Sequence, residues 1–541
     1  MHLIRKYDEA IRSLLLSSSR KAFLIAWLLV ILFLGGLAAI LIITGAPVMN
    51  GRLGDLPILL DGAWRTANGQ VPHRDFYSYL GSFPFYLIRS GISLSHPSVS
   101  AVVYSNVLLM TLLGPVAMLL FSRRTSALYA LLLTLFLSVL VVSPRPLGDP
   151  YDYTDYAMLY NRFGEAFLGL FSILVFLSPR ENATSRLLNA IESLVIGLLL
   201  ALLLFTKLSY FAIGIFLFFF AVAFGFLDSR RAALCLLSTA ALIALFFFVT
   251  GIPPRMMLQD FRIMSAAQPW MLRLKLIAIQ TIKEVMLLPL LLLMTWEIRA
   301  ARDGGSTRLR KSADWLLPLV LFASAVSLLA SNAQIHEMPL LVSGALYGAE
   351  TIRRQTSLPA TDPFFSATRN LAALCLLLLF LLPTLGTDLQ AISHSVHAAR
   401  KRSFVSTEVL KKTNLRDFRF NPIGTRALYS EEFMASLDEG ILLLQRHSTP
   451  DMRLMVSMFS NPFHFALGLN PAKGSSLCLA PSLLNRRSHP PLRRYLGDAT
   501  HILTNRGQKL EREAYGPEWD ALGLEIVEET THFSLLKVQA P

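Results

Sequence analysis

Apolar residues come in blocks along this chain instead of recurring at scattered core positions. The blocks lie near 22–46, 97–121, 126–143, 164–178, 190–206, 208–226, 232–251, 276–296, 315–331, 337–352 and 369–386. Crossing about 30 Å of hydrocarbon takes roughly 20 helical residues. Backbone N–H and C=O groups in lipid must pair within their own segment, so such blocks predict helices. The pattern therefore predicts a polytopic α-helical membrane region over 22–386 with about eleven spans. A cleaved signal peptide has a shorter apolar region that ends at small residues, so the first block is read as a retained span.

The segments between blocks alternate in charge. Arg123 with Arg124, Arg180 with Arg186, Arg230 with Arg231, the run from Arg299 to Lys311, and Arg353 with Arg354 fall on one side. That side also holds residues 1–21, with Arg5, Lys6, Arg12, Arg20 and Lys21 against Asp8 and Glu9. The positive-inside bias makes it the cytoplasm. An odd number of spans then puts the C-terminal region outside. The joint on which this rests is 190–226, where only the Lys207–Tyr210 region separates two short blocks. One bent helix there inverts everything downstream and moves the basic loops outside, so two spans are predicted.

The outer side then holds loops 47–96, 144–163 and 252–275, a short one near 332–337, and a tail over 387–541. The first loop exceeds an ordinary connector. Its apolar stretch Phe83–Ile92 predicts a short interfacial helix. In the tail, Ser430-Glu431-Glu432 predicts a helix start, with the helix running to about Gln445. Met452–Phe459 and His501–Thr504 predict strands, and Leu524–Val538 a terminal hairpin. The tail is thus expected to be a small soluble α/β domain.

Composition agrees with this partition and removes other classes. Of 541 residues, 53% are hydrophobic and 16% charged, where a soluble chain carries about a quarter charged. The formal net charge of +14 is what basic cytoplasmic loops produce. No soluble basic face with aromatic platforms suggests nucleic acid. Cys235, Cys375 and Cys478 have no spacing for zinc, redox chemistry or disulfides. The tail contains no nucleotide fingerprint and no G-x-S-x-G. The sequon Asn182-Ala183-Thr184 falls on the cytoplasmic side.

Ionisable groups near a membrane surface are where chemistry is sought, and they concentrate in the outer loops. The first loop carries Asp55, Asp61, Arg65, His73, Arg74 and Asp75. The second carries Asp149, Asp152, Asp155, Tyr160 and Arg162, and the short loop carries Gln334, His336 and Glu337. Each has a plain structural reading too. Asp55 serves as a turn acid, Asp61 as an N-cap before Gly62-Ala63-Trp64, Arg162 as an interfacial anchor beside Tyr160, and Lys207 as a helix C-terminal cation. Asp75 orients its loop, and Gln334, His336 and Glu337 line a hydrated turn. Lys283 and Glu284 are adjacent within a span and point to different faces. No His/Asp spacing specifies a metal.

The first loop resembles that of the C-type membrane glycosyltransferases, the superfamily of the protein O-mannosyltransferases and the aminoarabinose transferases of lipid A. In its bacterial branch an Asp just after the first span precedes an Ala, a Gly and a Pro-Tyr-Arg-Asp-Phe-like run. The counterparts are Asp55, Ala63, Gly69 and Pro72-His73-Arg74-Asp75-Phe76. Leu56 replaces the usual second acid and His73 the aromatic residue, which leaves the base open between Asp55 and Asp61. Thr206-Lys207-Leu208-Ser209 resembles the family's Thr-Lys element at an outer helix end.

The resemblance implies a multi-pass enzyme of the bacterial cytoplasmic membrane. It would transfer a sugar from a polyprenyl-phosphate donor to an envelope glycan, lipid or protein acceptor, with inversion and no cofactor. Arg65, Arg74, Arg162 and Lys207 would bind the donor phosphate. His73, Asp75, Tyr160, Gln334, His336 and Glu337 would contact substrate. Its partners would be the lipid-linked donor, the acceptor and membrane lipids, without nucleic acid. The alternatives are a transporter or flippase of lipid-linked saccharides, which would show paired broken helices or repeats, and a non-catalytic envelope-assembly scaffold.

Overall fold

A computed structural model describes residues 19–539 apart from 181–184, 268–269, 302–307, 333, 335, 357–362, 403, 422–426 and 480–487. The basic residues of the leader before Ser19 and the Asn182 sequon lie outside the described residues. Each apolar block falls on a helix: Arg20–Thr44, Ala101–Ser122, Ala127–Val142, Leu159–Phe176, Arg186–Thr206, Leu208–Ala223, Ser229–Thr250, Trp270–Lys283 with Leu287–Ala301, Arg308–Asn332, Leu340–Thr356 and Pro363–Arg400. Among the described residues, seven helices are long and apolar enough to cross a membrane, or eight if the bent pair is one span. Ala127–Val142 and Leu208–Ala223 are apolar but shorter.

Local sequence sets the helix ends. Four helices that start at the basic end of the bundle carry side-chain N-caps. Ser19 accepts from Ala22 N–H, Ser126 from Tyr129, Ser185 from Leu188 and Asp228 from Arg231. Two of them stop at the other end on a glycine with positive φ, Gly45 at 71° and Gly251 at 68°.

The basic loops meet at one end. Glu192 pairs with Arg124 at 2.7 Å and with Arg231 at 3.4 Å, Arg354 donates to the Arg124 carbonyl, and Arg180 lies over the Phe23 ring. The other loops converge on the opposite end. Asp417 accepts from Val99 and Ser100 N–H, Arg419 donates to the Thr44 carbonyl, and Trp64 Nε1 donates to the Leu469 carbonyl.

Lys207 is a point of chain reversal. The helix after it ends with Phe220 6.1 Å from Phe176, and Phe226 just beyond lies 5.0 Å from Phe176. Leu177 next to Phe176 accepts from Arg124, and Arg124 pairs with Glu192 near the start of the preceding helix. Both helices therefore run between the same two ends of the bundle; Arg186–Thr206 is long and apolar enough to cross a membrane, and Leu208–Ala223 is shorter.

Two features differ from the expected pattern. The block at 276–296 is bent by 76° between Met271–Lys283 and Leu287–Ile298. Pro289 lacks an N–H and its ring crowds the carbonyl four residues earlier, which favours a break at Val285. The last span does not stop at 386. Its helix continues to Arg400, because Asp388, Ala391, Ile392, Ser395 and Ala398 form one buried stripe at helical spacing.

Beyond Arg400 the chain forms a small α/β unit. The helix Ala427–His447 begins three residues ahead of the expected start. Four strands, β3 (Leu454–Ser457), β4 (His501–Asn505), β5 (Glu525–Glu529) and β6 (Phe533–Lys537), make a sheet in the order β3-β4-β6-β5. β3 and β4 are parallel, and the β5–β6 hairpin adds antiparallel to β4. A further pairing has no signature in the sequence. β1 (Val48–Met49), just past the first span, runs parallel to β2 (Arg419–Phe420) and ties the first loop to the C-terminal region.

Candidate active site

The first loop folds into two helices, Asp55–Ala67 and Phe83–Ser95, under the C-terminal region. Asp55 occupies the first turn of its helix, where the peptide dipoles favour a carboxylate. It borders a cavity of about 340 Å³ shared with the C-terminal region, whose lining includes Arg52, Phe459 and Asn505. Burial pushes its pKa up to about 6 against the opposing pull of Arg52. Asp155 is pushed up to about 7, by burial first, with the nearby Asp55 charge adding to it. Its two oxygens accept from Arg52 and Ala157 N–H at 2.8 Å each.

Asp55 is close enough to Tyr79, Tyr160 and Cys478 to act on each electrostatically, and Tyr79 and Tyr160 share a side-chain hydrogen bond. Lys207 approaches the Tyr160 ring, with its Nζ 5.0 Å from the ring centroid. Lys207 is 7% exposed. Its Nζ donates to Asn161 Oδ1 at 3.3 Å, and no carboxylate among the described residues pairs with it. A buried ammonium with only a neutral partner is costly unless an anion completes the site. The first loop reaches this turn closely: Gly81 N–H donates to the Thr206 carbonyl, and a Cβ on Gly81 would lie 2.1 Å from the Phe205 oxygen.

Asp61 has a different environment. It is not an N-cap but sits inside the Asp55–Ala67 helix, with no exposure. One oxygen accepts from Arg65 Nε at 2.8 Å; the other meets His464 Nδ1 at 2.8 Å and Asn461 Nδ2 at 3.0 Å. Burial raises its pKa, but Arg65 and His464 outweigh that and hold it below the ordinary value. Arg65, predicted as a phosphate ligand, is placed within the same network. Its guanidinium also donates to Gln70, the Ala472 carbonyl and Ser475, which leaves no free face. Asp61→Ala leaves Arg65 buried without its counter-charge. It is expected to lower stability by about 3–5 kcal/mol, read as a fall in the thermal unfolding midpoint of the purified protein.

Arg162 is likewise engaged. It grips Asp388 through two bonds of 3.0 and 2.9 Å and donates to the carbonyls of Arg145 and Leu140. Arg145 joins the same carboxylate at 2.8 Å and also pairs with Glu337, which accepts from Gly148 N–H as well. These four charges compensate one another and pin the last span to the second loop. Gln334 is buried, with its carbonyl accepting from Gln280. His336 is largely exposed and meets Glu284 at 2.8 Å, at the bend of the broken helix pair.

The Pro72–Phe76 run is clamped. His73, at φ 67°, is buried with Nδ1 2.9 Å from Asp260, and Asp260 pairs in turn with Arg494 at 2.8 Å. Asp75 accepts from Val71 N–H and from Arg74, which is 43% exposed at its side chain. Of the predicted residues the structure therefore links Asp55 to Tyr160 and Tyr160 to Lys207, and holds Arg74, Asp75 and His73 in the clamped run of the first loop.

Asp155, Tyr79, Asn161 and Cys478 belong to the same cluster and were not singled out as acting residues. Asn161 lies on a different helix face from its neighbours Tyr160 and Arg162, so their prediction did not extend to it. Cys478 carries no local signal. Among the described residues no group of three or more His, Cys, Asp or Glu side chains is placed to hold a metal ion.

No protein-family model matches the chain, and no curated protein sequence matches it. Two solved structures are similar to it over most of its length. One is ArnT from Cupriavidus metallidurans bound to undecaprenyl phosphate, at 12% identity and a TM-score of 0.48, with 94% of this chain and 98% of that chain covered. The other is ArnT from the same organism in the apo state, at 13% identity and a TM-score of 0.46 over the same shares.

Proposed function

We propose that this chain is a membrane glycosyltransferase that moves a sugar from a polyprenyl-phosphate donor to an acceptor hydroxyl outside the cytoplasmic membrane. The observation that carries the reading is Lys207. A buried ammonium at a chain reversal between two membrane helices, without an acidic partner among the described residues, is a receptor for an anionic lipid headgroup. Asp55, a partly exposed carboxylate that borders a cavity, acts electrostatically on the same Tyr160 whose ring Lys207 approaches.

In this reading Lys207 holds the donor phosphate and balances its charge as it leaves. Asp55 takes the proton of the acceptor hydroxyl as its oxygen forms a bond to the anomeric carbon. The bond from that carbon to the phosphate oxygen breaks, and polyprenyl phosphate departs with the electron pair. Direct displacement inverts the anomeric centre. The positive-inside bias supports placing this end of the bundle outside, since the basic loops lie at the other end. Asp61, Arg65 and Arg162 take no chemical part; their charges are already paired.

A base must be unprotonated. With Asp55 near 6, transfer should be weak below that pH and rise to a plateau above it. The check is kcat/KM for the acceptor over roughly pH 4.5 to 8. Arg52→Gln removes the cation that lowers the Asp55 pKa and should move the rising limb to higher pH. Purified protein in nanodiscs, given a panel of polyprenyl-phosphate sugars, tests the activity itself. If none is consumed while lipid-linked sugar crosses liposomes, the transferase reading is wrong.

A further inference from the structure

We infer that the cavity beside Asp55 binds the acceptor as a neutral carbohydrate unit, and that the C-terminal region supplies the surface that selects it. The inference rests on the transferase reading for what happens at Asp55, but the binding chemistry stands on the cavity alone.

The volume of about 340 Å³ is at the small end of ligand pockets, roughly 300–1,000 Å³, and suits one or two sugar rings. One wall is aromatic: Phe433, Phe459, Phe463 and Phe533, all from the C-terminal region. Phe463 and Phe533 meet edge to face at 5.7 Å and are buried, so they form the base of the wall. Phe459 is 46% exposed. A large apolar ring left open in a cavity has a free face for the C–H face of a pyranose.

Phe459 is also held in place by the first loop. A Cβ on Gly54 would stand 3.2 Å from two atoms of its ring, so the residue before Asp55 is small enough to let the ring lie against the catalytic turn. Ser436, Ser460 and Asn505 supply hydroxyl and amide groups on the same lining. Asn505 is exposed and faces Phe533 across the sheet register.

Charge separates this class of ligand from an anionic one. Arg52 and Asp55 are the charged residues of the lining. Arg52 is already shared with Asp149 at 3.4 Å and gives its N–H to Asp155. With Arg52 drawn to Asp149, the Asp55 carboxylate is left to disfavour a phosphorylated or carboxylated acceptor. Lys207, the cation assigned to the donor, is not part of this lining and stands instead against the Tyr160 ring, with no carboxylate among the described residues paired to it. The site is thus divided, with a cation for the donor phosphate and a hydroxyl- and aromatic-lined cavity for a neutral acceptor.

The test uses the full-length protein in nanodiscs and saturation-transfer NMR with methyl pyranosides and the corresponding sugar phosphates. Neutral glycosides are expected to take up saturation through their ring protons, and sugar phosphates are not expected to compete. Phe459→Ala and Asn505→Ala should each weaken glycoside binding at least fivefold, and Phe459→Tyr should keep it. Undecaprenyl phosphate binding, measured on the same samples, reports that the variants are folded and tests the donor site separately. Its loss in the wild-type protein, with glycoside binding intact, would count against the transferase reading and not against this one. Tighter binding of sugar phosphates than of neutral glycosides, no glycoside binding at all, or binding that survives both alanine variants overturns the inference.

Discussion

Asparagine in place of Asp55 is expected to lower the transfer rate by about 10²–10⁴-fold, the range that a positioned general base contributes. The substitution keeps the shape and removes the proton acceptor. Asp55 has no buried counter-ion; its nearest cation, Arg52, has a half-exposed side chain that also pairs with Asp149. The thermal midpoint should therefore not fall, since the lost charge is one that burial disfavours, and undecaprenyl phosphate binding should be kept. Asp61→Asn should give the opposite signature. It disturbs a network of fully buried charges, so stability falls first and activity follows only as folded protein is lost. Measuring rate and unfolding midpoint on the two variants side by side separates a base from a structural acid. Full transfer in folded Asp55→Asn protein would falsify the assignment.

Lys207→Met should weaken undecaprenyl phosphate binding by about 10–100-fold, since a hydrogen bond to a charged group contributes about 1.5–3 kcal/mol. The same change should raise the unfolding midpoint of the ligand-free protein. Methionine fills similar space without burying a charge that only Asn161 now solvates. A lysine that merely caps the Arg186–Thr206 helix predicts the reverse: lower stability and unchanged lipid binding. Isothermal titration with undecaprenyl phosphate and a melting curve on the same sample distinguish the two.

The membrane region was legible because lipid leaves few options. Each crossing needs a contiguous apolar block, and every predicted block lies on a helix. Lys207 was legible for the same reason, as a cation where two such blocks meet. The sheet strands and the terminal hairpin were legible from β-branched runs between turn residues. Sequence did not separate Asp55 from Asp61, which share one short helix. What separates them is His464 and Asn461, about 400 positions away. Arg65 and Arg162 looked like phosphate ligands because a loop arginine does not announce its partner. Arg162 finds its own in Asp388, on the extension of the last span that hydropathy had ended at 386. The bend near Glu284 was hidden because Pro289 sits within a run of leucines. Charge pairing between distant segments is a property of the fold, and local pattern carries no record of it.

The contacts that join the first loop to the C-terminal region also set a timetable. The chain reaches Asp61 early, but Asn461 follows 400 residues later. At about 5–20 residues per second, the first loop waits some 20–80 s after synthesis before its buried charges meet their partners. During that interval Arg65 and Asp61 have only each other and Gln70, β1 has no strand beside it, and the pocket by Asp55 lacks its aromatic wall. A half-made chain in the membrane thus carries the lysine for a donor headgroup but no finished place for an acceptor. Catalytic competence arrives last, as a by-product of the fold's longest-range contacts.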